Sequence, residues 1–181
     1  MIVAIVRLYD DHTHAADAIT ALRKAGIPEK DITVITRDDR VTSAARGAEI
    51  GATVGGLAGL LTGLGLIAIP GIGPVVATGW LAATAAGAAA GGLAGGALGV
   101  IAEAGISGDE AHEIAECLRR GATLVAARVP SEDRSRYEAI LDRGAIDLRV
   151  RVAAYRQAGW RAFDSDAPPY TEAEIRRQRG R

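Results

Sequence analysis

Two histidines, His12 and His14, stand among the carboxylates of Asp10, Asp11 and Asp17, and a third, His112, lies far along the chain. Imidazole and carboxylate groups are zinc-type ligands. Paired ligands on one element, however, need an HxxxH or CxxC spacing, which is absent here, so the three read as surface histidines and no metal is expected. Cys117 is the only cysteine. One thiol excludes an intramolecular disulfide and fits a reducing compartment. Its neighbours Ile114 and Leu118 suggest a buried structural thiol rather than a nucleophile, since reactive cysteines need an electropositive, partly open setting. The string Gly51-Ala52-Thr53-Val54-Gly55-Gly56 resembles part of a dinucleotide fingerprint but lacks the acidic residue and the βαβ setting that give the fingerprint its chemistry. No carboxylate pair or hydrolase triad stands out. The chain is expected to be non-enzymatic, with no catalytic residue, cofactor or small-molecule substrate.

The dominant feature is a run without charge. From Ile50 to Ala102 there is no Asp, Glu, Lys or Arg, and fifteen residues are glycine. Soluble domains rarely go so far without a charge, because loops and outer helix faces meet water. The glycines are regular. Gly47, Gly51, Gly55, Gly59 and Gly63 fall every fourth residue, and the spacing returns as Gly87, Gly91, Gly95 and Gly99, with Gly79 and Ala83 in phase ahead of them. In a helix, residues four apart share a face, so each set forms a flat ridge for close packing of another backbone. Each interior helical glycine costs about 1 kcal/mol relative to alanine, so the six from Gly51 to Gly65 need a compensating contact of roughly 6 kcal/mol. Ile50, Val54, Leu57, Leu60, Leu61 and Leu64 distinguish the segment from a polar, flexible linker.

This pattern predicts two helices, one from about 43 to 69 and one from about 75 to 104, joined by a turn at Pro70–Pro74. Pro74 suits the first position of the second helix. At 1.5 Å per residue both are long enough to cross a bilayer with tilt. Arg37, Arg40 and Arg46 precede the first helix and the turn is uncharged, which places both ends on the cytoplasmic side by the positive-inside rule.

The flanking parts are of a different kind. Residues 2–9 (IVAIVRLY) read as a strand rather than a secretory signal, because no basic n-region precedes them. Ala15, Ala18, Ile19, Leu22 and Ala25 follow the helical period, with Asp11 or Thr13 as cap and Gly26 as stop. A strand at 31–36 follows. After the hairpin come a helix at 109–120 stopped by Gly121, a strand at 122–129, a helix at 130–143 stopped by Gly144, and an edge strand at 146–152, where IDLRVRV alternates. The resulting fold class is α+β: a ferredoxin-like antiparallel sandwich of split βαβ halves with helices on one face, interrupted by a long Gly/Ala-rich antiparallel helical hairpin. The domains are 1–42 with 105–152 (discontinuous), the glycine-zipper hairpin 43–104, and a tail 153–181. A short linker in place of Ala45–Glu103 is then expected to leave a folded domain.

The stretches ALRKAGIPEKDITVITRD and GISGDEAHEIAECLRRGATLVAARV, on either side of the apolar hairpin, resemble the bacterial YflT-like general stress proteins over roughly residues 1–152. The resemblance implies a heat- or stress-induced protein with no catalytic residues to carry over.

The tail concentrates aromatics: Tyr155, Trp160, Phe163 and Tyr170. Trp160 and Phe163 would share a face if helical. Pro168-Pro169 breaks any continuous helix, and Thr171 with Glu174 has capping-box spacing. Trp160, Phe163 and Tyr170 are the expected docking residues, either against a partner or back on the chain's own sandwich. The net charge of −1 and only seven aromatics argue against nucleic acid.

Three functions fit these features. The first is a stress protein whose hairpin associates with the inner membrane and forms a homo-oligomer through the glycine ridges. The second is a cytoplasmic self-assembling bundle, and the third a small-ligand regulatory module.

Overall fold

The computed structural model describes residues 1–37, 65–69, 72–81, 97–106, 108–168 and 170–179. The chain opens with β1 (Ile2–Tyr9), α1 (His12–Lys24) and β2 (Ile32–Thr36). The Asp11 carboxylate caps α1 by accepting from the His14 N–H at 2.9 Å. Next come β3 (Gly65–Ile69) and β4 (Gly73–Thr78), then α2 (Ala97–Glu103) and α3 (Asp109–Arg119). β5 (Thr123–Pro130), α4 (Arg134–Leu141), α5 (Leu148–Gln157) and α6 (Glu172–Arg179) complete the order.

The five strands form one sheet in the order β1-β5-β2-β4-β3, every neighbouring pair antiparallel. The class is therefore α+β. β5 runs the full length of β1, from Ile2 opposite Pro130 to Tyr9 opposite Thr123, and pairs β2 on its other side. β1, α1 and β2 thus form a split βαβ unit around β5.

Helices cover both faces, not one. On the first face Ile5, Tyr9, Val34, Val125, Ala127 and Val129 pack on Ile19 and Leu22 of α1 and on Tyr137 and Leu141 of α4. On the second, Leu8, Ile35, Val75, Ala77, Leu124 and Ala126 pack on Ile101 of α2 and on Ile114, Cys117 and Leu118 of α3. Double coverage explains why all five residues of β2 are buried and why ITVIT does not alternate.

Two expected elements change type. Residues 65–69 and 73–78, expected to be helical, form an antiparallel hairpin with Ile69 opposite Gly73. The pairing is antiparallel, as expected of the two elements, but they are strands, and Pro74 lies within β4 rather than at a helix start. The fourfold glycine spacing ends at Gly63, and the residues beyond it are rich in β-branched types: Ile67, Ile69, Val75, Val76 and Thr78. β4 pairs with β2, Val34 opposite Thr78 and Thr36 opposite Val76, so the proposed boundary between 1–42 and 43–104 cuts through one sheet. The rest of the expected helices, 43–64 and 82–96, lies outside the described residues. α2 falls within the second expected helix.

The second change is at 146–152, where the edge strand is replaced by α5. Asp147 caps it, accepting from the N–H groups of Arg149 and Val150 at 3.0 and 3.2 Å. Leu148, Val152 and Tyr155 then form a helical stripe at i, i+4 and i+7. One main-chain hydrogen bond, Ile146 N–H to Leu8 C=O at 2.7 Å, occupies the β1 edge where the fourth strand was expected.

Gly79 ends β4 with φ +75, and a Cβ there would lie 2.1 Å from the Ile32 carbonyl oxygen and 2.8 Å from Thr33 Cα. Its place in the fourfold series is therefore explained by close backbone approach to β2. Gly79→Ala should cost on the order of 3 kcal/mol, from left-handed strain plus the clash, whereas Gly26→Ala, with φ +99 and open space around it, should cost about 1 kcal/mol. Urea unfolding of the two variants checks the difference. Replacing Ala45–Glu103 by a linker removes β3, β4 and Ile101, so cooperative unfolding should be lost. A sharp urea transition in the shortened chain would restore the two-domain division.

Candidate functional site at the end of α3

α3 carries Asp109 and Glu110 in its first turn and Arg119 in its last, complementing the helix dipole. Gly121, with φ +88, closes it: the Gly121 N–H reaches Leu118 C=O at 2.9 Å and the Ala122 N–H reaches Cys117 C=O at 3.0 Å. The chain then passes into β5. This fixes the direction of the two arginines that precede the glycine.

Glu116 is fully buried. Its carboxylate accepts from Arg119 Nη1 at 3.3 Å and Arg120 Nε at 2.7 Å, with both arginine side chains only 12–13% exposed. A carboxylate out of water requires such partners. The guanidinium groups are packed further by aromatics. Arg120 lies 4.1 Å from the Tyr155 ring centroid and 5.1 Å from that of Tyr170, and Arg119 lies 4.6 Å from Tyr170. Arg119 Nη2 donates to Pro168 C=O at 3.1 Å. Arg37, at the end of β2, donates to Arg119 C=O at 2.9 Å and to the Tyr170 carbonyl. The Arg119 Nε–H is buried without a hydrogen-bond partner.

The surroundings are polar but closed. Thr36 and Thr123 hydroxyls meet at 3.0 Å, and Thr123 reaches His12 Nδ1 at 3.2 Å. Arg151 forms a two-pronged pair with Asp10, one contact at 2.8 Å. Burial pushes the Cys117 thiol up to about 12, so it is protonated at neutral pH. Burial likewise raises the Tyr155 phenol. The arrangement holds cations and rings together in a closed cluster.

The tail docks on this junction. Trp160 is half-buried and meets Tyr155 edge-on at 6.4 Å, and Phe163 is 7% exposed within the second core. α5 ends at Gln157, so the two do not share a helical face, and each is placed by the irregular chain after it. Tyr170 sits over the arginines. The Thr171–Glu174 capping box forms: the Glu174 carboxylate accepts from the Thr171 N–H at 2.7 Å and the Thr171 hydroxyl accepts from the Glu174 N–H at 3.4 Å. Of the ridge glycines, Gly99 is a partly buried residue of α2, while Gly47, Gly51, Gly55, Gly59, Gly63, Gly87, Gly91 and Gly95 lie outside the described residues.

His14 pairs with Asp11 at 2.6 Å, apart from His112. Among the described residues no group of three or more His, Cys, Asp or Glu is placed to hold a metal, and no helix is long and apolar enough to cross a membrane. Glu116, Arg119, Arg120 and Arg37 were not anticipated. Their signal was a glutamate three and four residues before an Arg-Arg-Gly helix stop, with an aromatic tail able to cover it. No protein-family model, curated protein or solved structure matches the chain.

Glu116→Leu should destabilise the fold by about 3 kcal/mol, because it leaves two nearly buried guanidinium groups without their carboxylate. Glu116→Gln should cost less, since it keeps an acceptor. Urea denaturation of both variants measures the order.

Proposed function

We propose that the protein is a non-enzymatic, stress-related module that self-associates through its Gly/Ala-rich segments. The observation that carries this reading is a division within the charge-free run. Its β-branched residues enter the sheet as β3 and β4, while the ridge glycines fall in the flanking stretches, 38–64 and 82–96, and at Gly99 of α2. The residues spaced for close helix packing are therefore separate in sequence from those that complete the sheet. The stress class rests on the resemblance at Gly105–Val129 and in the ALRKAGIPEKDITVITRD stretch.

The absence of charge over Ile50–Ala102 favours inner-membrane association, with both ends cytoplasmic. A cytoplasmic bundle of several subunits is the alternative. The finer fold reading, a ferredoxin-like sheet, is supported by the order β1-β5-β2 about the split βαβ unit. It requires α5 to stand in place of the fourth strand and β4-β3 to extend the opposite side. A small-ligand role is favoured by one feature, a cleft of about 370 Å³ at the β1 edge, whose apolar lining from β1, Ile114 and Ile146 is joined by two arginines, Arg7 and Arg149, and two carboxylates, Glu110 and Asp147. That role rests on the cleft alone.

Gly59→Leu combined with Gly91→Leu should block backbone approach and lower the oligomer mass, measured by light scattering in buffer and in detergent. An unchanged mass in both would reject self-association through the ridges. Carbonate extraction of the membrane fraction separates the membrane reading from the soluble bundle.

A further inference from the structure

We propose that Arg37, Arg119 and Arg120 form a binding site for a phosphate oxyanion, kept closed by Pro168 and Tyr170 of the C-terminal segment. Three guanidinium groups converge here from two elements, the end of β2 and the end of α3. Glu116 meets Arg119 and Arg120 from the inside. On the outer side Arg37 donates to the Tyr170 carbonyl and Arg119 to the Pro168 carbonyl, the Glu174 carboxylate lies within electrostatic reach of Arg37, and the ring of Tyr170 lies over Arg119 and Arg120. A phosphate presents several charged acceptors to the same donors, and charge-assisted hydrogen bonds are roughly twice as strong as neutral ones. The unpartnered Arg119 Nε–H is a further donor that the carbonyls leave unused.

Phe163 anchors the chain in the second core, and α6 is internally capped by Thr171 and Glu174. Between them Asp164, Ser165 and Asp166 are exposed. Displacing Pro168 and Tyr170 therefore uncovers Arg37 and Arg119 without unpacking Phe163, while Arg120 keeps the Tyr155 ring beside it. An oxyanion and the segment compete for one set of donors, so the affinity of the site depends on how firmly Tyr170 is seated. A free phosphate compound and a phospholipid headgroup share this chemistry. The inference does not require the ridge glycines, and the Gly59→Leu, Gly91→Leu protein should keep it.

The full-length protein is titrated calorimetrically with pyrophosphate against sodium chloride of matched ionic strength. In parallel it is floated with phosphatidylcholine vesicles, with and without phosphatidylglycerol. Saturable pyrophosphate binding with faster hydrogen exchange over 168–179 identifies a free phosphate ligand. Flotation that needs phosphatidylglycerol, without pyrophosphate binding, identifies a headgroup. In either case Arg119→Gln should weaken binding by about tenfold or more, the loss of a charge-assisted contact. Binding to neither probe overturns the site, as does binding that Arg119→Gln leaves intact. Should Arg119→Gln fail to fold, Tyr170→Ala decides. The latch requires it to bind about threefold tighter or better, because the competing cover is loosened. Unchanged or weaker binding by that variant would refute the latch.

Discussion

A sheet that must bury both faces governs the rest of this molecule. β5 lies between β1 and β2, and its residues Leu124 to Ala127 are buried whichever way they point. Ala126 faces α2 and α3, and Ala127 faces α1 and α4. Small side chains at these positions let both helical layers come close. Where β5 leaves the covered region, Arg128 turns out to meet Asp31 at 2.7 Å and lies over the Trp80 ring at 5.0 Å. Only Arg128 breaks the burial here, since Val129 returns to the first core.

Coverage of the second face also explains the buried charge. α3 must lie flat on the sheet, so its last turn reaches the level where β2 ends and β5 begins. Glu116 is carried inside, and Arg119 and Arg120 fold back to meet it. The aromatic tail then excludes water from the pair. Desolvation of the carboxylate is offset by two guanidinium contacts, and the guanidinium groups in turn are covered by Tyr155 and Tyr170. Site and tail form one assembly: Tyr155 belongs to α5, and Asp147 fixes where α5 starts.

Much of this was legible in the residues. Strands β1, β2 and β5, helices α1, α3 and α4, and the glycine stops at Gly26, Gly121 and Gly144 follow from periodicity and cap chemistry. The capping box of α6 is readable from Thr171 and Glu174. Two kinds of signal misled. IDLRVRV alternates like a strand, yet Asp147 as a cap and the Leu148–Val152–Tyr155 stripe carry it into a helix, and only the longer window separates the two. Gly-Leu-Ile-Ala-Ile and Gly-Pro-Val-Val-Ala-Thr were absorbed into a helical reading because their surroundings are uniformly apolar. Absence of charge does not distinguish a packed strand from a membrane helix when β-branched residues are given too little weight. The arginine junction was hidden because its parts come from distant positions: Arg37, Glu116, and Pro168 to Tyr170. Local spacing has no access to such a meeting.

The pairing of β1 with β5 carries a consequence for the life of the nascent chain. β1 emerges from the ribosome well before β5, its hydrogen-bonding neighbour, which is synthesised only after the whole charge-free run and α3. Throughout that interval IVAIVRLY has no native strand beside it. Closing so long a loop is slow, and an apolar strand waiting with open edges is vulnerable to pairing with other chains.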